Sequence, residues 1–333
     1  MFALIKRLLP APVKRLLHKI FDKHILSRQV WVDINRYRKF AFELNRNNDI
    51  HNLFARLTFY THAIEKGLSN PNIRFGFGQN AIKGLKKAML DYKEAGHNLD
   101  EERFLSAFIV FQKYCELHKA HPEYTSHIYE FLERFAVSPP PLQVGAVEYH
   151  KEEILEKAKL SFDKLALSRI SVRDYSPIEV DDNLIYDSIN IAMKTPSVCN
   201  RQSWRVHFIK DKELLAKTLS IQGGFTGNGL NLGKLLLVTV DLRYFSSVNE
   251  RNEGYIDGGI FLMSLVYALT YNEIATCILN AMFNKNKDKE IRELLGIEEP
   301  EILIGFIALG TYPDTFKVPA SLRDSSTKCL RIH

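Results

Sequence analysis

The 333-residue chain contains no apolar run that approaches the roughly 18 residues needed to span a bilayer. The longest candidate, residues 256–269, is better interpreted as a buried helix. The four cysteines have no short metal-ligand spacing, and we interpret them as free thiols in a reducing cytoplasm. No catalytic triad, metal cluster or carboxylate pair emerges from the polar residues. A chain without its own nucleophile or metal is expected to take its chemistry from a bound organic cofactor.

Positive charge is concentrated at the N-terminus of an otherwise balanced chain. Residues 1–30 hold seven lysine and arginine residues against Asp22 alone, so their net charge of +6 equals that of the whole chain. The near-neutral remainder argues against nucleic-acid binding. Residues 2–26 alternate apolar and basic residues, which is typical of an amphipathic helix on an anionic membrane surface. A helix docked on its own domain and a frayed tail are the alternatives. We expect a cytoplasmic protein, with peripheral contact at the inner membrane face left open.

The chain divides into a helical first half and a mixed second half. Helical periodicity continues from Val30 to Phe135. Consecutive prolines at 139–141 cannot remain in a helix, so we place a domain boundary there. The predicted organisation is a basic amphipathic tail over 1–28, a helical N-terminal domain over 29–137, a Pro-rich linker over 138–147 and a second domain over 148–333.

The second domain alternates helices with strands. A charged helix is predicted over 148–167, and further helices are predicted at 181–194, 211–219, 254–272 and 287–295. Strands are predicted at 205–209, 235–242 and 302–311. The strand at 235–242 is apolar on both faces, which is typical of a central strand. This pattern favours an α+β or α/β fold in which helices cover a sheet.

One interruption in the helical half carries several charged side chains. Gly67 ends a helix, Pro71 prevents its continuation, and two glycines before Gln79 permit turns. His62 and Lys66 lie at the start of this loop. The His62–Gln79 segment is a candidate lid or substrate wall, and an ordinary helix–helix connector with solvated charges is the alternative.

Two guanidiniums and a hydroxyl alternate directly after the predicted charged helix. If the backbone is extended there, Arg169, Ser171 and Arg173 point to one side, because side chains alternate along a strand. Such a face can bind a phosphate through charge-assisted, bidentate hydrogen bonds. A surface strand paired with Asp174 and Glu179 is the alternative interpretation.

A second polar segment follows one helix later and ends at Trp204. Pro196 and Ser197 begin it, and Asn200 and Gln202 alternate before the tryptophan. Amide side chains both donate and accept hydrogen bonds, so they can bind the edge of a heterocycle. Proline, serine and asparagine are also common turn formers. Taken in this order, the two segments indicate a site for a planar, anionic cofactor.

Two shorter features complete the set of candidates. Ser321 and Arg323 follow Pro319 and the last predicted strand, so the arginine can return to a phosphate or belong to a solvated tail. The glycine-rich segment 222–229 lacks the lysine of a P-loop, and we interpret it as a flexible loop.

The order of these motifs is similar to that of the nitroreductase family of FMN-dependent oxidoreductases. The resemblance covers residues 165–325, about half of the chain. It comprises the segments 168–175 and 196–204, then a long apolar helix, a final strand and a late Pro-x-x-x-Arg that ends at Arg323.

The resemblance implies an α+β, nitroreductase-like fold with a central mixed sheet flanked by helices, preceded here by an all-α N-terminal region. It implies an interlocked homodimer with FMN at the subunit interface. Arg169, Ser171 and Arg173 would bind the phosphate, the ribityl chain and polar atoms at the ring edge. Arg323 would return to the phosphate.

The resemblance assigns the second segment to the isoalloxazine ring. Asn200 would contact the ring from the partner subunit, and Pro196 and Ser197 would shape the same wall. Gln202 completes the predicted cofactor-binding set. No catalytic side chain and no metal ligand is assigned.

The expected activity is FMN-dependent transfer of hydride, through flavin N5, to an unidentified organic acceptor. NADH or NADPH would be the co-substrate. Two alternatives stay open. One is a specialised flavoenzyme that acts on a membrane-associated, polysaccharide or secondary-metabolite biosynthetic intermediate. The other is a non-catalytic dimerisation module with a flavin-binding fold.

Overall fold

A computed structural model of the chain describes residues 49–225, 231–245 and 248–333, together with residues 10, 12–13, 21–28, 30–31 and 34–35. Most of the predicted amphipathic tail therefore lies outside the described residues, as do residues 226–229 of the glycine-rich segment 222–229. Within the described residues, no helix is both long enough and apolar enough to cross a bilayer.

The helical N-terminal region has one hydrophobic core of its own. Its α-helices are α1 (Ile50–Leu68), α2 (Gln79–Glu94), α3 (Glu102–Leu117) and α4 (Ser126–Leu132). In α2, Ile82, Leu85 and Met89 recur every three or four residues and are buried. This spacing places one apolar stripe against the neighbouring helices. The prediction of a helical region before the sheet is confirmed.

The loop between α1 and α2 packs on α3 around a buried histidine. Nε2 of His118 accepts the Gly76 N–H at 3.0 Å, and its Nδ1 lies 2.9 Å from the carbonyl oxygen of Tyr114. The proton of a neutral ring therefore resides on Nδ1. Phe75 and Phe77 both contact this ring. These contacts favour a packed helix–helix connector over a lid.

The second half contains a four-stranded sheet in the order β2-β3-β5-β4 and a two-stranded sheet of β1 and β6. The strands are β1 (Ala146–His150), β2 (Trp204–Ile209), β3 (Lys234–Asp241), β4 (Ala275–Asn280), β5 (Glu301–Gly310) and β6 (Thr315–Pro319). The helices are α5 (Lys151–Ala158), α6 (Phe162–Ser168), α7 (Asp182–Ala192), α8 (Lys212–Gln222), α9 (Glu253–Tyr271), α10 (Lys285–Leu295) and α11 (Ser326–Cys329). The α+β class is confirmed.

Every pair of neighbouring strands in the described sheet is antiparallel, whereas the resemblance implies a mixed sheet. Strands β3 and β4 run in the same direction, but β5 lies between them and is antiparallel to both. The chain connects β3 to β4 through the long helix α9. Strand β5 follows later in the sequence and lies between β3 and β4 in the sheet. Strands of equal direction are therefore not neighbours within this chain.

Residues 146–150 form strand β1, which corrects the prediction of a linker that continues into a charged helix. Val147 pairs with Val318, and Tyr149 pairs with Phe316 from the far end of the chain. A strand of five residues is too short to be predicted from its own periodicity. It forms here because it pairs with β6, which is distant in the sequence. The charged helix correspondingly begins later, at Lys151, and is divided into α5 and α6.

The four-stranded sheet separates two hydrophobic cores. Every residue of β3 is buried, and Leu235 belongs to one core while Leu236 belongs to the other. Helix α9 covers the second core and comes close to the sheet at Gly258, where a Cβ would lie 2.6 Å from Cγ1 of Ile304. The predicted central strand is confirmed.

Hydrogen bonds join the helical region to the second half. The buried carboxylate of Glu65 accepts the Gly145 N–H at 3.0 Å, and the Gly145 carbonyl accepts the Ala320 N–H at 2.9 Å. Lys328 donates to Glu101 at 2.8 Å. The placement of a domain boundary at residues 138–147 stays a prediction.

A buried ion pair between α1 and α2 makes the stability of the helical region depend on pH. Nη1 of Arg56 donates to Oδ2 of Asp91 at 2.7 Å, and Lys87 pairs with the same carboxylate. Burial alone would raise the pKa of Asp91, but the bonds from Lys87 and Arg56 outweigh it and hold this pKa below its ordinary value. Such a carboxylate stabilises the fold above its unfolded pKa of about 3.9, and this stabilisation is lost as pH falls through the folded pKa.

We expect Asp91→Asn to lower the free energy of unfolding at neutral pH by about 3 kcal/mol, because the buried guanidinium of Arg56 loses its counter-charge. Urea unfolding at several pH values measures the loss, which should shrink in acid as the wild-type carboxylate becomes protonated. Glu94→Gln changes an exposed carboxylate at the end of the same helix and should cost less than about 0.5 kcal/mol. Equal losses in the two variants would contradict this account.

Candidate functional site

A cavity of about 390 Å³ lies between α6, the extended segment that follows it and the end of β6. Its volume is in the range of small-molecule and cofactor sites. Arg169, Ser171, Arg173 and Arg323 all line it, and so does His62 of α1. The structure therefore brings together four of the residues predicted to bind the cofactor.

The backbone after α6 presents alternate side chains to this cavity. Arg169 has extended backbone angles, with φ −65° and ψ 113°. The Val172 N–H donates to the carbonyl of Thr276 in β4 at 2.9 Å, and the Val172 side chain is fully buried. Because Val172 faces the core, its neighbours Ser171 and Arg173 face the opposite side. Ile170 lines the cavity as well, so the predicted alternation is seen only from Ser171 to Arg173.

The cavity concentrates positive charge on three arginines. Among the described residues, Arg169, Arg173 and Arg323 form no ion pair, and Asp324 pairs with Arg103 instead. Removal from water lowers the pKa of Arg169, and the positive charge of Arg323 lowers it further. Guanidiniums remain protonated in proteins, so the site carries like charges at close range. This arrangement favours an anionic ligand.

A buried thiol lies close to the same cations. Cys277 of β4 interacts electrostatically with Arg173, Lys66 and Arg169. Burial raises the pKa of the Cys277 thiol and outweighs the opposite effect of the three cations. The thiol is therefore protonated at neutral pH and is not an activated nucleophile.

The second predicted segment lies apart from this cavity. Pro196, Ser197, Asn200 and Gln202 do not line it. Asn200 and Gln202 have left-handed backbone angles, with φ of 54° and 48°, which are strained for residues other than glycine. Nε2 of Gln202 donates to Oδ1 of Asn200 at 3.2 Å. Within one chain, the predicted cofactor-binding residues therefore form two separate groups.

Hydrogen bonds hold this strained segment in shape. The hydroxyl of Ser197 accepts the Gln202 N–H at 3.0 Å. The carboxylate of Asp257, which is 2% exposed, accepts the Val198 N–H at 3.2 and 3.3 Å. Asp257 belongs to the first turns of α9, so the segment is fixed to the helix that covers the sheet. The segment thus presents a preformed surface.

His62 and Ser321 line the cavity but are absent from the predicted cofactor-binding set. Nδ1 of His62 lies 3.2 Å from the hydroxyl of Ser321, which itself has a left-handed φ of 50°. Both residues, with Arg323, also line a neighbouring cavity of about 250 Å³. Ser321 stands beside Arg323 in the sequence, which is a usable signal. The position of His62 depends on packing between distant segments, and no local pattern reports it.

Comparison with known proteins agrees with the motifs. Residues 166–224 match the model of the nitroreductase family. A curated protein of Archaeoglobus fulgidus, named as an NADH dehydrogenase/NAD(P)H nitroreductase, is 27% identical over 152 residues, which are 45% of this chain and 84% of that protein. Residues 166–224 thus resemble the nitroreductase family. The helical N-terminal region lies outside the residues that match the family model.

Solved structures of nitroreductases resemble about half of the chain. A nitroreductase family protein from Clostridium novyi NT is 22% identical, with a TM-score of 0.41, over 46% of this chain and 87% of that chain. A nitroreductase of Desulfitobacterium hafniense DCB-2, solved with bound FMN, is also 22% identical, with a TM-score of 0.41, over 51% of this chain and 96% of that chain. Most residues predicted to bind the cofactor fall within residues 166–224, and Arg323 lies beyond them.

The unbalanced cations of the cavity should bind a simple phosphate. We expect inorganic phosphate to raise the melting temperature of the purified protein, since a ligand at tenfold excess over its Kd adds about 1.4 kcal/mol of stability. Arg169→Ala should reduce the shift, because one of the crowded guanidiniums is removed. Arg74→Ala, which changes an exposed arginine away from the cavity, should retain it. Equal shifts in the two variants would place the phosphate elsewhere.

Proposed function

We propose that this protein is an FMN-dependent oxidoreductase that takes hydride from NADH or NADPH and transfers it to an organic acceptor. The observation that carries the proposal is the cavity of about 390 Å³, which gathers three arginines that form no ion pair with any described residue. FMN is a planar molecule with a doubly charged phosphate, so it matches the charge and the size of this site. The family match over residues 166–224 supports the same cofactor.

The residues of the cavity fit the two ends of FMN differently. Arg169 and Arg323 crowd each other in the ligand-free chain, so an anion between them would relieve their repulsion. These two guanidiniums would therefore hold the phosphate through charge-assisted hydrogen bonds. The hydroxyl of Ser171 supplies a donor and acceptor for the ribityl chain.

Arg173 would contribute at the ring end of the site. Its Nη1 makes one long hydrogen bond, 3.4 Å, to the carbonyl of Ser171, which leaves other donors of the guanidinium for a ligand. A fixed cation beside a polar ring edge stabilises negative charge that develops there. Bound FMN would supply the hydride chemistry. The buried thiol of Cys277 is protonated and is not an activated nucleophile, so it does not take over this role.

An exposed apolar surface supports a homodimer. On α9, the side chains of Tyr255, Ile256 and Ile260 are 57%, 52% and 44% exposed. On α6, Phe162 is 69% exposed and Leu167 is 79% exposed. Rings of α6 and α9 touch, with Phe162 and Tyr267 centroids 5.5 Å apart, so these side chains belong to neighbouring surfaces. Apolar patches of this kind mark protein interfaces.

A dimer would also explain why the predicted site is divided. The Asn200 segment has a defined shape but lies apart from the arginine cavity of its own chain. It is anchored through Asp257 to α9, the helix that carries the exposed apolar side chains. Association through α9 would bring this segment to the cavity of a second copy, where Asn200 could meet the flavin ring.

Flavin binding is the direct test of the proposal. We expect the purified protein to be yellow, with released flavin that is identified as FMN. Arg169→Ala should weaken FMN binding by about 1–3 kcal/mol, because a charged hydrogen bond is lost. Fluorescence titration of the apoprotein measures the Kd, and Arg74→Ala serves as the control. A colourless protein that does not bind added FMN would refute the proposal.

Anaerobic reduction separates an oxidoreductase from a binding module. We expect NADH or NADPH to bleach the flavin absorbance under argon, and an added quinone or nitroaromatic compound to restore it. Slow bleaching by both nucleotides would favour a specialised flavoenzyme with a dedicated substrate. A flavin that is bound but reduced by neither nucleotide would favour a non-catalytic dimerisation module.

A charge placed on the α9 surface should disrupt the dimer. Ile260→Asp is expected to produce a monomer in size-exclusion chromatography with light scattering, because a carboxylate would be buried without a partner. FMN affinity should fall with it, since the second copy supplies the Asn200 segment. Ile332→Asp changes an isoleucine that is 88% exposed near the C-terminus and should leave the dimer intact. A wild-type protein that is monomeric with FMN bound would contradict the shared site.

A further inference from the structure

The C-terminal segment, residues 320–329, follows β6 and lies against the helical region. Asp324 forms an ion pair with Arg103 in the first turn of α3. Further along the segment, Nζ of Lys328 lies 2.8 Å from Oε1 of Glu101, directly before α3. The same lysine lies 3.4 Å from Oδ1 of Asp324. Charged side chains thus join the end of the chain to the start of α3.

An aromatic ring of α1 supports these charges. Cζ of Arg103 lies 4.3 Å from the centroid of the Phe54 ring, and Nζ of Lys328 lies 5.9 Å from it. A cation over the face of a ring is attracted by its π electrons. The Arg103 side chain is 20% exposed, so water screens its ion pair less than a pair between fully exposed side chains. These contacts form a network, which stabilises more than an isolated surface pair does.

Contacts with the helical region flank Arg323 on both sides. Two residues before it, the hydroxyl of Ser321 lies 3.2 Å from Nδ1 of His62 in α1. One residue after it, Asp324 pairs with Arg103 in α3. Ser321 has a left-handed φ of 50°, which is unfavourable for serine and persists where surrounding contacts hold it. The helical region therefore determines where Arg323 lies.

Arg323 is held in an unfavourable position when no ligand is bound. It lines the cavity of about 390 Å³ together with Arg169. Burial lowers the pKa of Arg169, and the positive charge of Arg323 lowers it further. Because the two guanidiniums repel each other, the C-terminal segment would move Arg323 away from Arg169 if no contact held it. The ion pair between Arg103 and Asp324 opposes this displacement.

We propose that Arg103 of the helical region is a positioning residue for the flavin phosphate, which holds Arg323 at the cavity through its ion pair with Asp324. This inference rests on the proposed function, because it takes FMN to be the ligand of the cavity. Arg103 does not line this cavity, so it acts through Arg323 and not by contact with the phosphate. A site that is ordered before its ligand arrives binds more tightly, because less conformational freedom is lost on binding.

A comparison of FMN with riboflavin tests the inference, because the two ligands differ only by the phosphate. In fluorescence titrations of the full-length apoprotein, we expect Arg103→Ala to raise the Kd for FMN about three- to fivefold. The Kd for riboflavin should change by less than about twofold. Arg103→Lys should retain most of the FMN affinity, since it keeps a positive charge opposite Asp324. Lys151→Ala removes an ion pair with Asp314 before β6, away from the cavity, and should bind both ligands as the wild type does.

Asp324→Ala separates positioning from a simple effect of charge. Loss of a carboxylate near a bound anion would strengthen FMN binding if charge alone mattered. Positioning predicts the opposite sign, a Kd for FMN that rises about three- to fivefold as in Arg103→Ala. Unchanged or tighter FMN binding in Asp324→Ala would overturn the inference while leaving the flavin site intact.

A double-mutant cycle shows whether Arg103 acts through Arg323. In an Arg323→Ala background, Arg103→Ala should raise the Kd for FMN by less than about twofold, because the side chain that it positions is gone. Additive losses would overturn the inference, since Arg103 would then act independently. An equal loss of FMN and riboflavin affinity in Arg103→Ala would also overturn it, since the variant would then act through folding. A wild-type protein that binds neither flavin would instead refute the proposed function.

Discussion

The pairing of β1 with β6 is the contact on which the geometry of the cavity depends. This ladder joins residues that are far apart in the chain and ends at the pair Ala146 and Pro319. One further bond, from the Ala320 N–H to the Gly145 carbonyl, guides the chain beyond the strand. The chain then turns at Ser321, and Arg323 lines the cavity together with Arg169. Without this ladder the cavity would lose one of its walls.

Charge repulsion gives that cavity its chemical character. Burial and a neighbouring guanidinium both disfavour the charged form of Arg169, so the ligand-free fold carries an electrostatic cost at this point. An anion that binds there removes the cost, which couples ligand affinity to the stability of the fold. That these arginines pair with no carboxylate in the part of the chain that the structure describes is thus consistent with a binding site for an anion.

Local patterns in the sequence predicted the parts of the structure that local forces determine. The apolar spacing of α2, the two buried faces of β3 and the alternation from Ser171 to Arg173 are all visible in short windows of sequence. Strands β1, β4 and β6 are only five or six residues long, and their pairing partners are distant in sequence. Their existence follows from pairing, which a single sequence does not display.

The residues of the candidate site also differ in whether local sequence patterns could predict them. The arginine motif could be predicted because its residues are neighbours in sequence. The role of His62 could not, because it follows from the docking of α1 on β6. The separation of Asn200 from the arginine cavity is a matter of assembly, since a contact between two copies leaves no local periodicity. The expectation that Asn200 contacts the flavin ring from a partner subunit came from the family resemblance and not from residue patterns.

The backbone of Gly145 connects three segments that are distant in the sequence. Gly145 donates its N–H to Glu65 of α1 and accepts the N–H of Ala320 through its carbonyl. Its φ of 86° favours glycine, and a Cβ there would lie 2.7 Å from Cδ of Lys113. The helical region and the C-terminal segment are therefore both hydrogen-bonded to the backbone of Gly145. Helix α1 is thereby linked through two hydrogen bonds to Ala320, three residues before the arginine that lines the cavity, so a substitution that shifts α1 has a short covalent and hydrogen-bonded route to the binding site.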